Sequence, residues 1–195
     1  METLYKITGP KLEAVHGGDY RYPRKGRWTK AVPNPLPCCK GYHLVKLSGL
    51  LDWVHEGGIL WVAEGDGQPI WHDHKAVFSR VRLVKKVGVL SATNLRLWSA
   101  DCAERVVHLT TPEGSNNPNP RPVAAIEAAR KFAREEISAE ELDAAGDAAW
   151  AAAGAAARAA ARAAEQQWQN ERLLAILKGE TLGVIGRAGC TNATP

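Results

Sequence analysis

The apolar residues of this chain change kind partway along it, and that change limits its folds more than any other feature. Up to Val89 they are mostly Val, Leu, Ile and Trp, whereas beyond Ala144 alanine supplies most of them. Branched and aromatic side chains suit a pleated, half-buried surface; alanine is the strongest helix former. Two differently built parts are therefore expected within 195 residues, a length that accommodates one large domain or two small ones. The predicted class is α+β: a small mixed β-sheet domain over residues 1–90, an alanine-rich antiparallel bundle of three helices over 91–179, and a flexible tail over 180–195.

Within the first part, Leu4–Ile7, Gly41–Lys46 and Ile59–Ala63 read as strands. Pro33, Pro35 and Pro37 exclude regular structure between the first two. A short helix over Gly49–His55, capped by Ser48 and closed by Gly57-Gly58, is expected, as is a turn at Gly65-Asp66-Gly67. From Ala76 to Val87 the chain alternates Val77, Ser79, Val81 and Leu83 with Phe78, Arg80, Arg82 and Val84, the period of one half-exposed strand.

The helical part starts at Ser91 or Thr93. Leu95, Trp98, Cys102, Val106 and Leu109 share one stripe, and Pro112 stops it. Pro120 and Pro122 suit the first turn of a second helix whose apolar side is Val123, Ile126, Ala129, Ala133 and Ile137. Ser138 and Glu141 form a capping box for a third helix running to Lys178, with Gly146 and Gly154 on nearly one face and Trp150 and Trp168 as its large apolar anchors. Gly179 ends it.

The formal charge of +4 is unevenly placed: residues 1–90 hold 14 Lys/Arg against 8 Asp/Glu, while the rest are slightly acidic. A basic first part favours nucleic acid, a nucleotide or an acidic protein surface, against the plainer reading of solvated charge. The first residues lack a leader pattern, no apolar run is long enough for a membrane, and Cys38, Cys39, Cys102 and Cys190 are scattered. A cytoplasmic chain of a bacterial host cell, without membrane partners, is expected.

No complete catalytic set is present. Cys38, Cys39, His43, His55, His72 and His74 lack the paired spacing of a zinc site, so no metal is expected. There is no nucleophile elbow, phosphate loop or dinucleotide fingerprint, so neither catalytic residues nor a cofactor are assigned. Arg21, Arg24, Lys25, Arg27 and Trp28, in a loop reaching Lys30 that mixes basic and aromatic residues, are candidate ligand contacts, through stacking and charge neutralisation. The same loop also reads as surface chain packing its rings on the sheet.

Residues 4–88, through Gly41-Tyr42-His43, Leu51-Asp52-Trp53, Trp61–Gly65 and Lys75–Val87, resemble a domain of unknown function found in phage and prophage proteins. The chain departs from that pattern with Tyr42 for Phe and with Leu44-Val45 where Cys-Glu is common. Residues 95–178, through Trp98–Arg105 and Arg121–Arg130, resemble an alanine-rich helical family of bacteriocin-immunity-like proteins. The two resemblances imply a non-enzymatic phage or prophage accessory protein, an immunity or anti-defence protein that inhibits by occluding a toxin, a host defence protein or its nucleotide ligand. Asp101, Arg105, Arg121 and Arg130 are its candidate partner contacts, or, with Glu104 and Glu127, members of an internal ion-pair network. Two alternatives remain. Tyr5, Gly41–His43 and Glu64 are similar to the layout of an ADP-ribosyltransferase, which would place NAD between strands and make Tyr5, His43 and Glu64 ligand contacts. The loop from Arg21 to Lys30 would alternatively bind nucleic acid. A second copy of the chain remains open as a partner.

Overall fold

The computed structural model describes residues 2–16, 19–107, 120–145 and 162–180. Six strands form one sheet: β1 Leu4–Thr8, β2 Tyr42–Val45, β3 Ile59–Asp66, β4 Ile70–His72, β5 Lys75–Phe78 and β6 Arg80–Val89. Their spatial order is β4-β5-β2-β1-β3-β6. Every described pairing is antiparallel, where a mixed sheet was expected. Among the described residues four helical segments follow, α1 Ala92–Val106, α2 Pro120–Ala133, α3 over 139–145 and α4 Arg162–Leu177. The class is α+β.

The single strand expected over 76–87 is two strands, and the break at Ser79 shapes the fold. Only that residue separates β5 from β6, yet β2, β1 and β3 lie between them in the sheet. The sheet must therefore curl until its two sides meet. The contact is direct: a methyl group on Gly65 of β3 would overlap the Phe78 ring of β5. Phe78 also shares an apolar cluster with Val81 and Leu83, although an odd spacing would put them on opposite faces of an unbroken strand. Ser79 absorbs that slip of one residue. Its hydroxyl donates to the Val32 carbonyl at 2.8 Å, and its own carbonyl accepts from the Val32 amide at 2.8 Å.

The curl gives the sheet two apolar faces, each with its own cover. Inside lie Tyr22, Tyr42, Leu44, Trp61, Phe78, Val81 and Leu83. The Trp61 indole N–H, buried there, donates to the Thr8 hydroxyl at 3.1 Å, which removes the penalty for an unpartnered polar group. On the other face Tyr5, Ile7, Val45, Leu60 and Leu90 form one cluster with Leu50 and with Leu173, Leu174 and Leu177 of α4. The segment 26–32 pairs along the free edge of β6, through Gly26 N–H to the Leu83 carbonyl (2.8 Å) and Thr29 N–H to the Val81 carbonyl (2.9 Å). This covers an edge that would otherwise offer itself to another strand.

Local departures have local causes. The short helix is a 3₁₀ helix over Leu47–Trp53 without a side-chain cap: it starts early enough that Lys46 takes the N-cap position and Ser48 falls inside it, its hydroxyl engaged with His74 Nδ1 at 2.9 Å. β3 continues through Gly65 to Asp66, so the turn moves to Gly67, whose φ of 88° only glycine takes up easily. Ser91 caps α1, accepting from the Asn94 amide at 3.1 Å. α2 starts at Pro120 but ends at Ala133, short of Ile137, where Glu135 turns to a φ of 61°. The capping box is present: Ser138 Oγ accepts from the Glu141 amide, and Glu141 Oε2 from the Ser138 amide. Leu109, Pro112, Gly146, Trp150, Gly154, Arg158 and the tail from 181 onward lie outside the described residues. Among the described residues no helix is long and apolar enough to cross a membrane.

Candidate functional site

β1 and β2 are paired at one register position, Tyr5 opposite Val45, and then part. A cavity of about 620 Å³ opens at that divergence. Its walls are aromatic, from Tyr20, Tyr22, Tyr42, His16 and Trp53, and its charged lining is Lys6 and Lys75. Among the described residues no Asp or Glu lines it. A cavity with cations, rings and no carboxylate is electrostatically one-sided, and such a site attracts anions.

Lys6 sits on β1, a strand with both faces covered. Its ammonium crosses the gap to donate to the His43 carbonyl at 3.2 Å and lies 5.3 Å from the centre of the Tyr22 ring. Burial pushes its pKa down from 10.5 to about 8. The fold therefore bears a cost for keeping this amine charged, fully present below pH 8 and lost as pH rises toward 10.5, where the unfolded chain also gives up the proton. Lys6→Met is accordingly expected to stabilise the protein by about 1–3 kcal/mol at pH 7. Urea denaturation at neutral and high pH checks this; the gain should shrink as pH rises through the interval between the two pKa values.

His43 follows on β2. Its pKa is lowered by burial first, then by Lys6 and Lys75. The neutral ring accepts at Nε2 from the Cys38 amide, 3.1 Å away, which leaves its proton on Nδ1. Cys38 holds a φ of 61°, uncommon for a residue with a side chain. Lys75 Nζ lies 3.5 Å from the Cys38 sulfur and 4.9 Å from the centre of the Trp53 ring. Among the described residues neither Lys6 nor Lys75 has a carboxylate within ion-pairing distance. The tyrosines stack edge to face, Tyr20 lying 5.2 Å from Tyr22 and 5.1 Å from Tyr42. Burial raises the pKa of Tyr20 and Tyr22, so their hydroxyls stay protonated as donors.

The candidates from sequence divide sharply by place. Tyr5 and His43 line the cavity. Glu64 does not; on β3 it accepts two hydrogen bonds from Arg82, so the three residues of the NAD layout do not converge. Trp28 lies against Arg80 and Arg82, whose guanidinium carbons are 5.2 and 4.8 Å from its ring centre. Arg21, Arg24, Lys25 and Arg27 are exposed on the pinned loop. Among the described residues no cluster of three His, Cys, Asp or Glu side chains could hold a metal ion.

In the helices the charges meet each other. Asp101 accepts from Arg130 and from Arg172, both at 2.6 Å; Glu104 also holds Arg130, and Arg105 pairs with Glu165 while covering the Trp168 ring. This joins α1, α2 and α4 through a network that takes up Asp101, Arg105 and Arg130. Arg121 is exposed in the first turn of α2. Cys102, beside the network, has its thiol pushed up to about 12 by burial and then by Glu165 and Asp101, so it is unreactive.

Sequence reasoning missed Lys6, Lys75 and Tyr42 as site residues; Tyr20 and Tyr22 stand in the basic and aromatic loop it singled out for stacking, but were not themselves named as contacts. One signal was available: a lysine flanked by Tyr5 and Ile7 within a short strand. The strand break that brings Lys75 alongside His43 had none. No curated protein and no solved structure matches the chain. From Lys85, inside β6, to Leu174, inside α4, the chain is similar to the family whose model is described as "Imm-5 like putative immunity protein".

Proposed function

We propose that this chain is a non-enzymatic immunity protein, a phage or prophage accessory factor of the bacterial cytoplasm, that neutralises a toxin by binding and occluding it. The observation that carries this reading is the family match over residues 85–174. The helical charges support it as scaffold: paired with one another, they stiffen the bundle and leave recognition to another surface. That surface is the loop bearing Arg21, Arg24, Lys25 and Arg27, held rigid by its pairing with β6. A preorganised basic ridge fits an acidic face on the toxin and speeds encounter with it. The NAD-enzyme alternative has less support, because Glu64 is held by Arg82 outside the cavity.

Affinity capture from bacterial lysates containing the toxin, followed by growth-protection assays with the captured protein, tests the proposal. Enrichment of one toxin and restored growth are expected. Replacing Arg24, Lys25 and Arg27 together by Glu should weaken capture at least tenfold with the melting temperature unchanged. Failure to enrich any toxin, or full protection by the triple variant, would count decisively against it.

A further inference from the structure

We infer that the cavity between β1 and β2 binds a ring-bearing phosphomonoester, with a nucleoside monophosphate as the member of that class suited to its size. The inference is independent of toxin binding, since it concerns a different surface from the arginine loop.

Four observations converge on it. The volume of about 620 Å³ lies within the range of small-molecule sites, roughly 300–1,000 Å³, and a bare inorganic anion would leave most of it empty. Two ammoniums, Lys6 from β1 and Lys75 from β5, reach it without a carboxylate to neutralise either. Lysine acts on phosphate as a point charge, and two such charges suit a dianion better than a monoanionic carboxylate. Tyr20, Tyr22, Tyr42, His16 and Trp53 also line it and offer ring faces for a base, with the Tyr22 hydroxyl as a donor for a sugar or phosphate; that of Tyr42 is donated to the Lys30 carbonyl. Finally, the strands part without a ladder to fill the gap: Lys6 spends one of its three N–H groups on the His43 carbonyl, a bond the sheet would otherwise make, and keeps the others for a ligand.

The groups that set the charge here are few. Lys6 and Lys75 supply the ammoniums, His43 is neutral and accepts from the Cys38 amide, Tyr20 and Tyr22 are protonated, and His16, Cys38 and Cys39 also belong to the titratable lining. A phosphate beside Lys6 would draw its pKa back up from about 8. Binding near that pH therefore takes up a proton, a signature that a merely structural lysine does not give.

Titration calorimetry of the full chain with AMP and UMP, set against inorganic phosphate and against uridine, tests this. Saturable binding of a nucleotide is expected, at least tenfold tighter than either fragment. Its enthalpy should depend on the buffer near pH 8, and its affinity should fall about tenfold or more at high pH. Lys6→Gln and Lys75→Gln should each weaken it at least tenfold; Lys75 is only half-buried, so its variant reports even if the first folds poorly. No binding at millimolar nucleotide, affinity unchanged from the parent chain in both variants, or phosphate alone binding as tightly would overturn the inference.

Discussion

Replacing Asp101 with Asn should cost the protein about 3–5 kcal/mol, more than any other charge in the chain. One carboxylate here holds two guanidiniums from two helices, Arg130 of α2 on Oδ1 and Arg172 of α4 on Oδ2. All three are largely covered, at 14%, 19% and 13% side-chain exposure. The two arginines fare differently when the charge goes. Arg130 retains Glu104, but among the described residues Arg172 has no second carboxylate, and its Nη1 already lacks a hydrogen-bond partner. The amide keeps the shape and removes the charge, so the loss falls on an almost buried guanidinium left unneutralised. Glu104→Gln is the comparison, expected to cost 1 kcal/mol or less because Glu104 is 60% exposed and its pair is screened by water. Urea denaturation separates the two. If the Asp101 variant lost no more than the Glu104 variant, the network would be surface decoration. Pairing Asp101→Leu with Arg172→Met should recover much of the loss, since exchanging a buried pair for apolar groups is often neutral.

This network was half legible in the sequence. Asp101, Glu104 and Arg105 stand at helical spacing, as do Arg121, Glu127 and Arg130, and such charges pair either across helices or with a partner. Arg172 could not be named, because it meets Asp101 only once α4 is laid beside α1. The sheet shows the same division. The β-branched runs announce β1, β2 and β3, since those strands are buried on both faces and local composition suffices. The period of two over 76–87 is real but misleading: alternation reports the pleat and not the direction of the chain, so it passes smoothly over Ser79. That break creates the curl, brings Lys75 beside His43 and opens the cavity. The site was therefore the least legible part, because its lysines come from β1 and β5, its rings from a loop, from β2 and from the 3₁₀ helix, and its space from a pairing that stops after one register position.

The apolar shift that divides the sequence does not divide the packing. α4 carries Leu173, Leu174 and Leu177 into the cluster formed by Tyr5, Ile7, Leu60 and Leu90, and Gly88 of β6 lies so close beneath Leu177 that a Cβ there would stand 2.5 Å from its carbonyl oxygen. The family match takes in a strand as well as helices: it begins inside β6 and ends at Leu174 inside α4, short of Leu177. Leu173→Ala should therefore cost about 2–5 kcal/mol, the range for removing a fully buried leucine whose surroundings cannot collapse. Its reach is the more telling result. Because the cluster belongs to sheet and helix together, the amides of β1 and β3 should lose protection against hydrogen exchange along with those of α4, in one cooperative step. Val123→Ala on α2, where the side chain is 44% exposed, should change stability by about 0.5 kcal/mol or less. Loss of protection confined to α4, with the sheet unaffected, would show that the helices are an attachment. A shared loss would mean that sheet and helices unfold as one cooperative unit.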